Sequence, residues 1–498
     1  MTIKAEVPVA AVRGEPVASA AAQDPEDHSR YRSAGSTSPA DLVLPLVAAG
    51  GVVVLAGYGY LRRTRRARTR TTPGVVSPQP PVTPLPVLER QAGTALVQAD
   101  DCLRTSREEL AFAEDRFGVD AVEPFAGALR EAERELSAAF AIRLRYERGV
   151  PAPEEEAARR QALAGIVGRC AEAGRRLDAE APGFDQLRSL ERDMGDALGV
   201  AEGRFRELAG RTGAVEATLA ELHARHPGPG APATTVTGYV EQAKDRLVFA
   251  TTHLNQARQA ADSGDTGRAI RDLRAAEGAI GQAGTFLTGV ERLADFLARA
   301  GQLVPAALTG AEAELARART AAPSDLASAH ATLAAVREEL TGATSGSSSG
   351  PYTAYDPVGA LRRIVRALLP LGAGRDGVLG FAARLVARGD IGAADGFVAT
   401  HRGAVGVGAR TRLAEARRLL DTGTDPAAAD VLALEARESA EQDVRTHGNP
   451  YAGAADGPTS GVGGAVLGGI LLGEDPDGGP PLGFGGPDTR GRRGLPPA

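Results

Sequence analysis

Tryptophan is absent, and aromatic residues of all kinds make up only 4% of the 498 positions. A core built on stacked rings is therefore excluded. With only Cys102 and Cys170, the chain cannot hold a disulfide framework, nor a structural zinc site without histidine. Excess positive charge is missing too: 57 Lys and Arg stand against 63 Asp and Glu, a net charge of −6. Charges of both signs alternate along the sequence, a pattern of solvated helix faces that excludes a broad nucleic-acid footprint. No phosphate loop GxxxxGK[ST], HExxH or DxDxDG motif occurs. Nor does any histidine follow a glutamate by three positions, the spacing that helical bundles use for metal sites. What is abundant is alanine, leucine, arginine and glutamate, which suits helices packed through small residues.

Long apolar runs are also lacking, with one exception. Leu42 to Leu61, LVLPLVAAGGVVVLAGYGYL, contains no charged residue. As a helix, such a run covers about 30 Å, the thickness of a bilayer's hydrocarbon core. Arg62, Arg63, Arg65, Arg66, Arg68 and Arg70 follow immediately and would meet anionic lipid. The upstream flank SAGSTSPAD carries no basic residue. The expectation is a single-pass membrane protein with its N-terminus outside and its large C-terminal region in the cytoplasm.

Around that span the chain divides into seven stretches. Residues 1–40 read as a disordered extracytoplasmic tail, 41–61 as the transmembrane helix, and 62–86 as an Arg-rich stop and Pro-rich linker. Residues 87–225 form a helical coiled-coil block, 236–342 and 354–446 two blocks of helical hairpins, and 447–498 a Gly/Pro-rich disordered tail. The predicted fold is all-α: a transmembrane helix, then long antiparallel coiled-coil hairpins.

The evidence for helices is spacing. Leu96, Ala99, Leu103, Ser106, Leu110, Ala113 and Phe117 recur every three or four residues, as side-by-side helices require. A second helix is predicted over 121–147. A third carries Leu163, Ile166, Cys170, Ala173 and Leu177 and stops near Pro182-Gly183. A fourth runs from Leu187 through Leu198, Phe205, Leu208 and Val215 to Leu222. Val240 to Ala261 and Ala269 to Leu297 give two matched seams joined by DSGDTGR, an antiparallel hairpin. A further hairpin is expected over 305–340, opened by Pro305. LNQARQAADSGD (254–265) resembles LAEARRLLDTGT (413–424), and AARLVARGDIGAA (382–394) reads as one helix ending on Gly-Asp and another starting. Such seams bury their stripe along a line, so rods without pockets are expected. In the tail, GVGGAVLGGILLG (461–473) is too short to span a bilayer.

Three stretches carry a resemblance. EQAKDRLVFATTHLNQARQAADSGDTGRAIRDLRAAEGAIGQA, THRGAVGVGARTRLAEARRLL and EQDVRTHGNPY…GGAVLGGILLG are similar to actinobacterial TPM domain-containing membrane proteins. That resemblance implies an extracytoplasmic TPM domain, one transmembrane helix, an Arg-rich stop, a helical cytoplasmic region and a Gly-rich tail. Only about forty residues precede the apolar run here, without strand-like alternation. The hydrolytic activity of TPM domains is therefore not carried over.

The candidate sites read as structural. Cys102 and Cys170 are expected as small buried hydrophobes. His223 and His226 sit three apart at a helix end, expected to be solvated rather than metal-bound. Glu154, Glu155 and Glu156 fall in a first helical turn, where they favour the helix dipole. No catalytic, cofactor-binding or metal-ligating residue is assigned, and no enzyme activity is expected. The leading expectation is a membrane-tethered coiled-coil scaffold, with lipid, protein partners or a second copy of itself as partners. The alternatives are a membrane-linked signalling component and a fragment of a TPM-type protein whose outer domain is missing.

Overall fold

In a computed structural model of the chain, the structure describes residues 83–227, 231–318, 322–345, 355–372, 376–447 and 483–493. All belong to the unit that starts at Thr83. The run 42–61 and the six arginines after it lie outside the described residues, as does 461–473. Among the described residues there is no strand, and no helix is long and apolar enough to cross a membrane.

Twelve α-helices occur among the described residues: α1 (Leu85–Phe117), α2 (Val119–Glu147), α3 (Glu156–Arg188), α4 (Met194–Arg225), α5 (Tyr239–Asp262), α6 (Thr266–Arg317), α7 (Pro323–Ser345), α8 (Pro357–Leu368), α9 (Gly377–Thr400), α10 (Val407–Thr422), α11 (Pro426–His447) and α12 (Pro487–Arg493). The all-α expectation holds. The seam of α5 is buried at Val240, Ala243, Leu247, Ala250, Leu254 and Ala257. It faces Ala269, Leu273, Ala276, Ile280, Ala283, Leu287 and Val290 of α6. Gly264, at φ +79°, makes the turn between them, and the Asp265 carboxylate caps α6 by accepting from the Arg268 amide at 3.0 Å. The sequence-similar stretch at 413–424 makes the same turn. Gly423 sits at φ +63°, and Asp425 accepts from the Ala428 amide at 2.9 Å as α11 begins.

Several expected breaks are not breaks. α6 continues through Pro305 for 52 residues. The proline lacks an amide to give the preceding turn, yet Val304, Ala307, Leu308 and Ala311 around it are buried, and their packing holds the helix together. α9 runs straight through Gly389-Asp390, because Gly389 is a close-approach position: a Cβ there would run into the Phe296 ring of α6. α3 passes Pro182-Gly183 and ends only after Arg188, and α4 starts at Met194 rather than near Leu187.

The helices share three apolar cores. One joins α1 to α3 and takes in Phe484. A second joins α4 to α8 with the first half of α9, and a third joins the rest of α9 to α10 and α11. The expected blocks are therefore not separate rods. α4, placed by sequence in the first block, packs on α5 and α6, while α10 packs on α2 and α1. α1 touches α2, α3, α4, α6, α10 and α12, and α6 touches α1, α4, α5, α7, α8 and α9.

The tail also differs from expectation. Within 447–498, residues 483–493 are seated on α1 and α3, with Phe484 fully buried.

Candidate functional site

The arrangement most suggestive of function is the groove between α1 and α3. Phe125 of α2 and Phe184 of α3 meet edge to face, 5.3 Å between ring centroids. Phe484 stacks on Phe184 at 4.6 Å and meets Phe125 at 5.9 Å, completing an aromatic trio. The backbone on either side of Phe484 is read by polar side chains. The Gly485 amide donates to Ser106 Oγ at 3.2 Å. The amides of Gly486 and Thr489 each donate to Asp178 Oδ1 at 2.9 Å, so one carboxylate collects the first turn of α12. Arg490 reaches back to the backbone carbonyls of Asp101 and Cys102 at 3.4 and 3.3 Å. Glycine on both sides makes the approach possible. A Cβ on Gly174 would sit 2.7 Å from Pro487 Cδ, and one on Gly486 would strike the Gly174 carbonyl.

Beside the groove, α1 carries an ion network that sequence reasoning placed on outward faces. Arg410 of α10 is almost fully buried and donates through Nη1 to Asp100 and Asp101, 2.6 Å to each. Its remaining donors go to the carbonyls of Val405 and Arg402. Arg104 donates to Asp100 at 2.9 Å and Asp395 at 2.8 Å. Arg402 donates to Thr105 Oγ1 at 3.1 Å and to both oxygens of Glu108. Burial alone would push the Asp100 carboxyl up; the Arg104 and Arg410 guanidiniums outweigh it and hold it well below the usual carboxylate range. Burial does prevail at Asp101, which is raised despite Arg410.

A second cluster lies at the far end of α3. Arg188 donates to Glu109 of α1 and Glu277 of α6, 2.7 Å each. Burial, with Glu109 alongside, pushes Glu277 up, and Arg188 offsets only part of this. These buried groups correct the expectation that the polar residues face water. The signal available in sequence was the density of opposite charges in ADDCLRTSREEL, interleaved with an apolar seam.

The expectation of no concavity is also overturned. A cavity of about 370 Å³ opens between α6, α9 and α11, walled by Tyr239, Phe286, Leu293 and Phe296. Its arginines serve the wall itself: Arg292 donates to the Gly392 carbonyl at 3.2 Å and Arg437 to Glu441 at 2.6 Å. At its edge, burial and the neighbouring Asp430 push the Asp390 carboxyl up, with Arg362 opposing. Close by, His401 is buried and stacked on Phe397, and desolvation lowers its imidazole to about 4.

The residues singled out by motif and spacing fall elsewhere. Cys102 and Cys170 are buried, as expected, and are not joined by a disulfide; burial pushes Cys170 up to about 12. His223 meets Thr237 Oγ1 at 3.0 Å, while His226 meets the Tyr355 carbonyl at 3.1 Å, so the two face different partners. Glu156 opens α3, and Glu154 and Glu155 precede it. Among the described residues no three His, Cys, Asp or Glu converge as a metal set.

The chain is similar to UPF0603 protein MT2410 of Mycobacterium tuberculosis (strain CDC 1551 / Oshkosh), 30% identical over 429 residues and 81% of this chain. UPF0603 protein Rv2345 of the same species (strain ATCC 25618 / H37Rv) matches to the same extent. The chain spans 64% of the length of these curated relatives. No family model matches it, and no solved structure does.

Proposed function

We propose that the chain is a membrane-tethered interaction platform: residues 41–61 anchor it, and the helical array from α1 onward binds protein segments. The observation that carries this is the groove of α1 and α3, which holds residues 483–493, far along the chain, through a buried aromatic and side-chain-to-backbone hydrogen bonds. The anchor is supported by the uncharged run and the arginines at 62, 63, 65, 66, 68 and 70, which would contact lipid. On this reading the body has no hydrolase or kinase activity of its own and takes no cofactor.

Two measurements test it. A photo-crosslinking residue at Ala171 or Arg175, both exposed on α3 beside the groove, should give protein adducts between molecules in cells. Lack of any intermolecular adduct from both positions would overturn the platform. For the anchor, cysteines at Ser33 and at the exposed Thr252 should differ toward an impermeant thiol reagent on intact cells. Only Ser33→Cys should react, and reaction at Thr252→Cys would invert the topology.

A second reading concerns the longer protein. We infer that the chain is related to the UPF0603 proteins as the membrane and helical part of a TPM-type protein. The 64% coverage of those longer relatives favours it, together with the three segments that resemble TPM domain-containing proteins. An in-frame upstream sequence encoding an α/β domain would support this, and a stop codon directly upstream would sink it.

A further inference from the structure

The groove that holds 483–493 has the properties of a receptor for a short linear motif whose one aromatic side chain, Phe484, completes the apolar core of α1 to α3. Among the described residues, α1, α2 and α3 grip the segment through Ser106, Asp178, Phe125, Phe184 and the carbonyls of Asp101 and Cys102. Everything it offers lies within eight consecutive residues, Gly483 to Arg490. The contacts divide as peptide recognition usually does. Backbone amides fix the direction on Asp178 and Ser106, and one side chain, Phe484, fills an aromatic pocket. α12 packs on α3 and α1, and the 35 positions 448–482 lie between the end of α11 and Gly483. The groove thus takes its occupant from a stretch far along the chain rather than from a neighbouring turn. A second copy at high local density, as on a membrane, offers the same eight residues to the same groove.

We propose that the α1–α3 groove is a binding site for the Gly-Phe-Gly-Gly-Pro-Asp-Thr-Arg segment, and that it accepts this segment from a second copy of the chain in place of its own. The proposal rests on the platform reading and names its partner. Exchange recreates every contact in the groove without a new interface. Because each copy carries both groove and segment, the exchange can be reciprocal and close as a dimer.

Two full-length variants separate the halves. Phe484→Asp releases the segment and leaves the groove open, since a charge cannot enter the aromatic pocket without a partner. Gly174→Leu blocks the groove, where a Cβ alone already meets Pro487, and leaves the segment intact. A fluorescent peptide of residues 481–493 should bind the Phe484→Asp chain saturably in an anisotropy titration. Binding should weaken at least tenfold when Asp178→Ala is added, which keeps the test valid should Gly174→Leu fold poorly. In size-exclusion chromatography with light scattering, each variant alone should remain single, and their mixture should form a one-to-one complex. Failure of the peptide to bind, or binding undiminished by Asp178→Ala, would overturn the groove as its site. Peptide binding with no complex in the mixture would overturn exchange between copies. Adducts from Ala171 or Arg175 to a different protein would then leave the platform reading standing without this partner.

Discussion

At the residue scale, the molecule is organised by arginines that never reach water. Arg410 is the sharpest case, because both carboxylates it serves are themselves buried or nearly so. Removing one member of a buried ion pair strands the other, at about 3–5 kcal/mol. Arg410→Met is therefore expected to lower unfolding stability by about that amount, whereas the exposed Arg206→Ala should change it by less than about 0.5 kcal/mol. Denaturant titration of the two variants decides this, and equal midpoints would show that the network contributes nothing. His401 gives a pH signature. Its folded imidazole is lowered from 6.5 to about 4, with Arg437, Arg246 and Glu441 around it. Below pH 6.5 the unfolded chain takes up a proton that the folded chain refuses. Stability contributed by this group is thus present above 6.5 and falls between 6.5 and 4, by up to about 3 kcal/mol. His401→Gln should flatten the stability profile across that window in thermal melts. Beforehand only the dense opposite charges of ADDCLRTSREEL pointed to the network, and nothing marked His401. A heptad seam identifies the first buried face of a helix, but it does not report that α1 buries a second face as well.

At the element scale, spacing was a reliable guide and helix breakers were not. The α5 and α6 seams, and their Gly-Asp turn, stand where alternation by three and four put them. Pro305, Pro182 and Gly389 misled because each is read locally as a stop, while what decides is the neighbour packed against it. Gly389 tests this directly. Gly389→Ala gains helix propensity but collides with Phe296, so a net loss of melting temperature is expected. Gly210→Ala on α4 meets nothing within 4 Å and should gain up to about 1 kcal/mol. Matching shifts at both sites would mean that α9 and α6 are not in close contact. The groove was half legible. Phe484 is the lone aromatic after Tyr451 in a Gly/Pro-rich tail, a signal that something must bury it, but Phe125 and Phe184 carry no mark that sets them apart from core.

At the scale of the whole molecule, the divisions expected at 226–235 and 343–353 do not separate the packing of the described helices. α10 returns to α1 and α2, and Arg402 and Arg410 find Glu108, Asp100 and Asp101 some 300 positions earlier. A chain ending after Ser345 would keep α1 to α7 and lose those partners. It is expected to show a lower melting temperature and faster proteolysis within 85–117 than the full chain. Unchanged protection of that helix would restore the picture of independent blocks. The same long return sets an order of events in time. During synthesis, at roughly 5–20 residues per second, α1 is completed some tens of seconds before Arg410 is added. Throughout that interval Asp100 and Asp101 have no counter-charge from α10. The face of α1 that carries Asp100 and Asp101 must therefore wait solvated and unfinished, and the array can close only once nearly the entire body has left the ribosome.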